Sequence, residues 1–352
     1  MTGTMLTVDI NSVHRHEFTP LFSPAFTLPA PRVQNLKIIP PQILEAMRPG
    51  WLTGQHAARP IQVTKLFDVF VTEEGLVFTQ DRKLIAQSIT QHSPQECQGA
   101  YERLTAQGAY QSIEQPSLLL RKRGDHNYGH WLVEVLPKLW AAEHRVAVTT
   151  LVVPALASAM QSVIRDSIAL SAARHYAYLP VSTQDICFFK ELVLVHGLTE
   201  HGVYMSPQVF DRTDAMRMSL PESQPMKIYV ERTQSARRVV NAADCQKVLQ
   251  QKGFISVDPA HLTFLEQVRL FKNAVCVVGV MGAGMANMAF CPPGCKTVVL
   301  APATMPDTFF SFIAGLRGLN YTEIRGPMTP ETMSWDEPFS IDPAQLEASL
   351  AV

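Results

Sequence analysis

The residues best equipped for chemistry form the run Asp125-His126-Asn127-Tyr128-Gly129-His130-Trp131-Leu132-Val133-Glu134. Five proton-exchanging side chains fall within ten residues there. His130 and Glu134 are four apart, so a helix through them puts both on one face. An imidazole beside an acid is suited to general-base work near neutral pH. A second reading stands beside this one: Asp125 or Asn127 caps the helix while His130 makes a structural hydrogen bond. The second cluster joins Arg232, Arg237, Arg238 and Asn241 to the turn Gly279-Val280-Met281-Gly282-Ala283-Gly284. Arginines bind phosphate bidentately, and backbone N–H groups at a glycine turn with a helix start add further donors. That combination suits a diphosphate. Its alternatives are a solvated charge run for the arginines and tight helix–strand packing for the glycines. The glycines do not spell G-x-G-x-x-G, and no P-loop lysine motif is present.

Both clusters need α/β elements to place them. Ser117–Leu120 reads as a short strand, and 128–144 as a helix with Leu132, Val135, Leu136 and Leu139 on one face, kinked or shortened at Pro137. Strands at 151–153 and within 186–196 and helices at 155–170 and 207–220 follow. Further on, strands at 227–231, 254–257, 275–278, 297–300 and 320–324 alternate with helices. Asn241 is the expected N-cap of one, and Thr263 with Glu266 forms a capping box for another. Such alternation implies a mainly parallel sheet, whose ligand edge lies at the carboxyl ends of the strands. Arg232 and the glycine turn both follow strands, so both should reach that edge. Residues 1–60 are proline-rich and read as an irregular arm. A glycine hairpin is expected around Glu73-Glu74-Gly75. The two prolines of 221–225 mark a boundary between domains at 61–220 and 226–330, leaving 331–352 as a tail.

The chain has 352 residues, 47% of them hydrophobic and 17% charged, with 30 Lys+Arg against 31 Asp+Glu. The formal net charge of −1 gives no global basic field, which argues against nucleic acid as the main partner. Nothing approaches the roughly 20 apolar residues of a membrane span. Residues 1–19 lack the apolar core of a signal peptide. A cytoplasmic protein is expected, with peripheral association at the inner membrane face allowed. Cys291 and Cys295 lack a second Cys/His pair, so no metal site is expected.

Four segments resemble glycosyltransferase family 61. Asn127 to Pro137 matches its Asn-x-x-His-x-x-x-(acid)-x-x-Pro stretch. Arg232-Thr233-Gln234-Ser235-Ala236-Arg237-Arg238-Val239-Val240-Asn241 matches its Arg…Arg-x-x-Asn segment. Thr263-Phe264-Leu265-Glu266-Gln267 matches the (Ser/Thr)-Phe-x-Glu-Gln segment. Gly279 to Asn287 matches Gly-x-His-Gly-Ala-Gly-x-x-Asn, with Met281 where the family has His. The match covers about residues 60–325. The resemblance implies a GT-B fold of two Rossmann-like domains facing across a cleft. It implies inverting, metal-independent transfer from a nucleotide sugar, typically a UDP-sugar, to a glycan or glycolipid hydroxyl, with no cofactor beyond the co-substrate. A bacterial enzyme of surface polysaccharide synthesis fits. The implied catalytic residues are His130, Asp125 and Glu134. The implied donor-binding residues are Asn127, Arg232, Arg237, Arg238, Asn241, Glu266, Gly282, Ala283, Gly284 and Asn287. Met281 motivates the alternative of a non-catalytic protein that binds nucleotide sugar or glycan. A dinucleotide oxidoreductase would require a G-x-G-x-x-G turn followed by an acid about twenty residues on, and that pairing is absent.

Overall fold

The computed structural model describes residues 4–14, 16–182, 185–232, 235–329 and 331–351. The architecture is mixed α/β, as expected. The chain divides into two compact units, residues 1–24 with 58–200, and residues 25–57 with 201–352. Among the described residues no helix is long and apolar enough to cross a membrane.

The first unit is built on a ten-stranded sheet. Ile186–His196, Ser117–Leu119, Thr150–Pro154 and Ala177–Val181 lie in that order as its parallel part. Ser117–Leu119 and Thr150–Pro154 are apolar runs buried throughout, as strands covered on both faces are, whereas Ala177–Val181 is a largely exposed edge. The long strand Arg59–Thr72 runs antiparallel to Ile186–His196, from Thr72 opposite Ile186 to Gln62 opposite His196. The hairpin expected near 73–75 is present, with Phe70 opposite Phe78 and Gly75 at φ 82°. A Cβ on Gly75 would come within 2.6 Å of Arg121 Cβ, so this turn presses on the loop after Ser117–Leu119.

The helix after that loop starts at Tyr128–His130, widens to a π turn over Trp131–Val135 and continues as Leu136–Glu143. Proline 137 explains the widening. It has no N–H for the carbonyl four residues back and its ring would clash there. The Leu136 amide instead reaches the Trp131 carbonyl, five residues back. The expected kink or shortening is thus a local π turn inside an otherwise unbroken helix.

The second unit carries a six-stranded, all-parallel sheet. Its order is Phe254–Val257, Met226–Val230, Ala274–Val280, Lys296–Pro302, Asn320–Gly326 and Arg32–Gln34. The turn after Ala274–Val280 leads into a 3-10 helix, Ala283–Phe290.

Three expectations about boundaries are corrected. The segment 1–60 is not one irregular arm. His16–Ser23 pairs with Arg59–Thr72 in the first unit, and Pro20, exposed and without an N–H to donate to the ladder, is tolerated on an edge strand. Residues 25–57 belong to the second unit, which they join through Arg32–Gln34 and the helix Pro41–Leu52. The division after the first unit falls at residue 200 rather than at 221–225, because Asp214 is tied to Arg317 at 2.6 Å inside the second unit. Finally, 331–352 is not a loose tail: Phe339, Ile341 and Leu346 are buried in the second unit's core, and Pro343–Ala351 is helical.

Candidate functional site

In the first unit, the loop Leu120–Asn127 and the helix after it gather the first cluster. Asn127 is the N-cap, its Oδ1 accepting from the Gly129 amide at 2.8 Å. Glu134 is 2% exposed, lies in the π turn, and accepts hydrogen bonds from both His130 Nδ1 and Lys122 Nζ. Lys122 is itself buried and also donates to Gln91 Oε1 at 2.9 Å, with Nζ 3.3 Å from His130 Nδ1. Asp125 is buried on Arg121 Nε and the Lys122 amide. Arg121 in turn donates to the carbonyls of Glu73 and Val181. Lys138, buried, donates to the Arg121 carbonyl at 2.9 Å. Its ammonium is pushed down to about 8 by burial first and by the charge of Lys122 second.

The outcome for the sequence expectations is mixed. His130 and Glu134 come together as the spacing required. Asp125 is the counter-ion of Arg121, because a carboxylate this buried must be paired. It anchors the loop instead of presenting a free base. Asn127 spends its carbonyl oxygen on the cap. Trp131 is completely enclosed, with Nε1 on Ser167 Oγ at 2.9 Å, and belongs to the packing beneath the pair. Two contributors were missed. Lys122 looked like one member of a basic run, and its partner twelve residues away has no periodic signature. Gly124, at φ 83°, lies against the imidazole: a Cβ there would sit 3.2 Å from His130 Cδ2 and 3.4 Å from Nε2.

With Nδ1–H directed at the Glu134 carboxylate, Nε2 is the basic nitrogen of His130. Lys122 supplies the positive charge that makes a buried Glu134 tolerable.

In the second unit, the strand Met226–Val230 delivers Arg232, and Ala274–Val280 delivers the glycine turn. They meet at the carboxyl edge of the sheet, as expected. A Cβ on Gly282 would lie 1.8 Å from Arg232 Nη1 and 2.9 Å from its Cζ, so the guanidinium lies directly on this glycine. Gly279 and Gly284 have a different reason to be glycine. Added Cβ atoms would meet Met285 Sδ at 2.4 Å and Val230 Cβ at 2.8 Å in the first case, and Val230 Cγ1 at 3.2 Å in the second. Both readings of the turn therefore hold, at different glycines. Gly282, Ala283 and Gly284 are half-exposed at the head of the 3-10 helix.

Arg237 is buried, with Nη1 on the Met281 carbonyl at 3.1 Å and on Met305 Sδ at 3.4 Å. The Nε atoms of Arg232 and Arg237 are buried without a hydrogen-bond partner among the described residues. Burial and then the charge of Arg232 bring Arg237 down to about 10, and burial lowers Arg232 as well. Two desolvated guanidiniums with donors to spare are poised for an anion.

Four residues of this cluster hold structural partners of their own. Arg238 is exposed and contributes its carbonyl, at 3.0 Å from the Phe339 amide, so Arg237 is the inward arginine. Asn241 occupies the cap position without a side-chain cap bond. Its amide donates to the Ile341 carbonyl at 2.7 Å and accepts from the Ile341 amide at 3.1 Å, which commits both ends to the C-terminal segment. Glu266 completes the Thr263 capping box. Bonds from the Thr263 amide and hydroxyl hold its carboxyl below the usual range. Asn287 is buried and donates to Gln267 Oε1 at 2.7 Å and the Gly284 carbonyl at 3.1 Å, bracing the turn from beneath. Gln267 was not singled out, although it joins the third and fourth segments. Thr233 and Gln234 of the arginine segment lie outside the described residues.

Residues 128–299 match the family model Glycosyltransferase 61. That region belongs to glycosyltransferase family 61. No curated protein matches the chain. The glycosyltransferase 61 region runs from the helix that carries His130 and Glu134 to the strand after the glycine turn, and so contains Arg232, Arg237 and Gly282. Arg121, Lys122 and Asp125, which support the His130 pair, lie just before it. Met281, in the place of the usual imidazole, is completely buried, and its carbonyl serves Arg237.

Proposed function

We propose that this glycosyltransferase inverts the anomeric carbon while moving a sugar from a nucleotide sugar, of the UDP class, to a glycan or glycolipid hydroxyl in surface polysaccharide synthesis. The observation that carries the proposal is the convergence of Arg232 and Arg237 on the glycine turn, at Gly282 and at the Met281 carbonyl, at the carboxyl edge of a parallel sheet. The guanidiniums and the turn amides bind the diphosphate and stabilise the charge that grows on it as the glycosidic bond breaks. Their positive charge is of the kind a metal would otherwise bring to a leaving diphosphate. His130 Nε2 removes the acceptor proton, and Glu134 steadies the resulting imidazolium. Inversion then follows from one displacement. The GT-B organisation implied by the resemblance belongs to this same reading.

Calorimetry with UDP, GDP, CMP, ADP and NAD(P), with and without EDTA, tests the donor half. One nucleoside diphosphate should bind regardless of EDTA, and Arg237→Gln should weaken it. Binding of NAD(P) alone would overturn the proposal. His130→Gln should leave that binding intact and lower transfer by roughly a hundred- to ten-thousandfold. A second reading, a binding protein without catalysis, rests on Met281 in place of the usual His. It would be the correct one if the nucleotide bound but no donor–acceptor pair supported transfer.

A further inference from the structure

Residues 331–339 of the second unit are not used by the reaction just described, yet they end on its anion site. Their base is zipped to the arginine segment: Phe339 donates to the Arg238 carbonyl at 3.0 Å, and the Val240 amide donates back to Phe339 at 2.8 Å. Their other side is tied down where Thr304 Oγ1 donates to the Ser334 carbonyl at 3.0 Å. Between these anchors the Trp335 ring lies over the Arg237 guanidinium, 5.1 Å from centroid to Cζ. Asp336 Oδ1 stands 3.6 Å from Arg237 Nε. That distance is too long for a direct hydrogen bond, and Nε has no other partner among the described residues. The Asp336 carboxylate also offsets the charge of Arg232, and Asp307 adds to it at Arg237. Asp336 is 50% exposed while Arg237 is 8% exposed, so the carboxylate is the partner that can leave.

We infer that residues 331–339 form a donor-responsive strap, in which Asp336 holds the place of a donor phosphate oxygen on Arg237 and is displaced when a nucleotide diphosphate binds. This rests on the donor-site reading above. The strap makes the arginine pair tolerable while empty, because an anion of its own stands near two guanidiniums. It also sets a threshold: a monoanion gains little over Asp336, whereas a diphosphate engages both arginines and the turn. Trp335 moves with the strap. It is the exposed indole of the chain, since Trp51, Trp131 and Trp140 are buried.

The test is equilibrium binding of inorganic pyrophosphate and of UDP to the full chain at low salt, in EDTA, for wild type, Asp336→Asn, Arg237→Gln and Trp335→Phe. An exposed carboxylate near a cation predicts roughly two- to fivefold tighter binding by Asp336→Asn, with the gain fading as salt rises. Tryptophan fluorescence should change on binding in wild type and lose that change in Trp335→Phe. Equal or weaker binding by Asp336→Asn, with Arg237→Gln still impaired, would overturn the strap and leave the donor site standing. Unimpaired binding by Arg237→Gln would overturn both.

Discussion

Replacing Gly282 with alanine separates ligand binding from folding at one atom. The Gly282 φ of 165° is extended backbone that any residue adopts, so alanine brings no conformational strain. The three atoms nearest the new methyl all belong to the Arg232 guanidinium, with Nη1 at 1.8 Å. The far end of a long side chain can swing away, so the cost in stability should stay within about 1 kcal/mol. Arg232 would then no longer lie on the turn. A charge-assisted hydrogen bond contributes about 1.5–3 kcal/mol, which converts to roughly ten- to hundredfold weaker nucleoside-diphosphate binding. Gly279→Ala is the contrasting control. Its methyl would strike Met285 Sδ at 2.4 Å and Val230 Cβ at 2.8 Å, both in the packed interior, and overpacking there should cost about 1–3 kcal/mol. Calorimetric titration with UDP alongside thermal melts of the two variants decides the matter. The reasoning fails if Gly282→Ala binds UDP like wild type, or if it melts as low as Gly279→Ala.

Removing Glu134 as Glu134→Ala leaves the Lys122 ammonium buried and unpaired. The loss should be about 3–5 kcal/mol in urea unfolding, and adding Lys122→Met should recover much of it without restoring transfer. Lys138 predicts a pH dependence. Its folded pKa of about 8 lies below the ordinary 10.5, so between those values the unfolded chain binds more protons. Stability should therefore rise with pH across that window, by up to about 3 kcal/mol, and urea midpoints of Lys138→Met should lose this rise. Asn241→Ala should cost about 1–3 kcal/mol through its two bonds to Ile341 while leaving UDP affinity unchanged, and calorimetry on the folded variant checks that separation.

The second unit was legible because its strands are apolar runs bounded by polar turns, and parallel strands covered on both faces take that form. His130 with Glu134 was legible because four residues are one helical turn. Nothing periodic connects Lys122 to Glu134 across a loop, or Arg32–Gln34 to a strand near the other end of the chain, so neither relation could be read. The choice between Arg237 and Arg238 was also hidden. Neighbouring residues on an extended segment point to opposite sides, and the side is set by pairing with Phe339, about a hundred positions later. Asn241 stands at the expected cap position, but its side chain makes no cap bond, because the Ile341 backbone far along the chain engages both ends of it.

The edge strand Arg32–Gln34 has a consequence for how the chain is made. Asn35, just beyond it, donates to the Arg325 carbonyl, 290 residues on. At ribosomal rates of about 5–20 residues per second, the early segment waits on the order of 15 to 60 s for its partner strand to be synthesised. Meanwhile residues 58–200 emerge as a nearly complete first unit. The order of birth therefore predicts that the first unit folds while the leading segment of the second is still waiting. A ribosome stalled before residue 320 would carry a folded first unit and a second unit lacking the strand on which residues 32–34 dock.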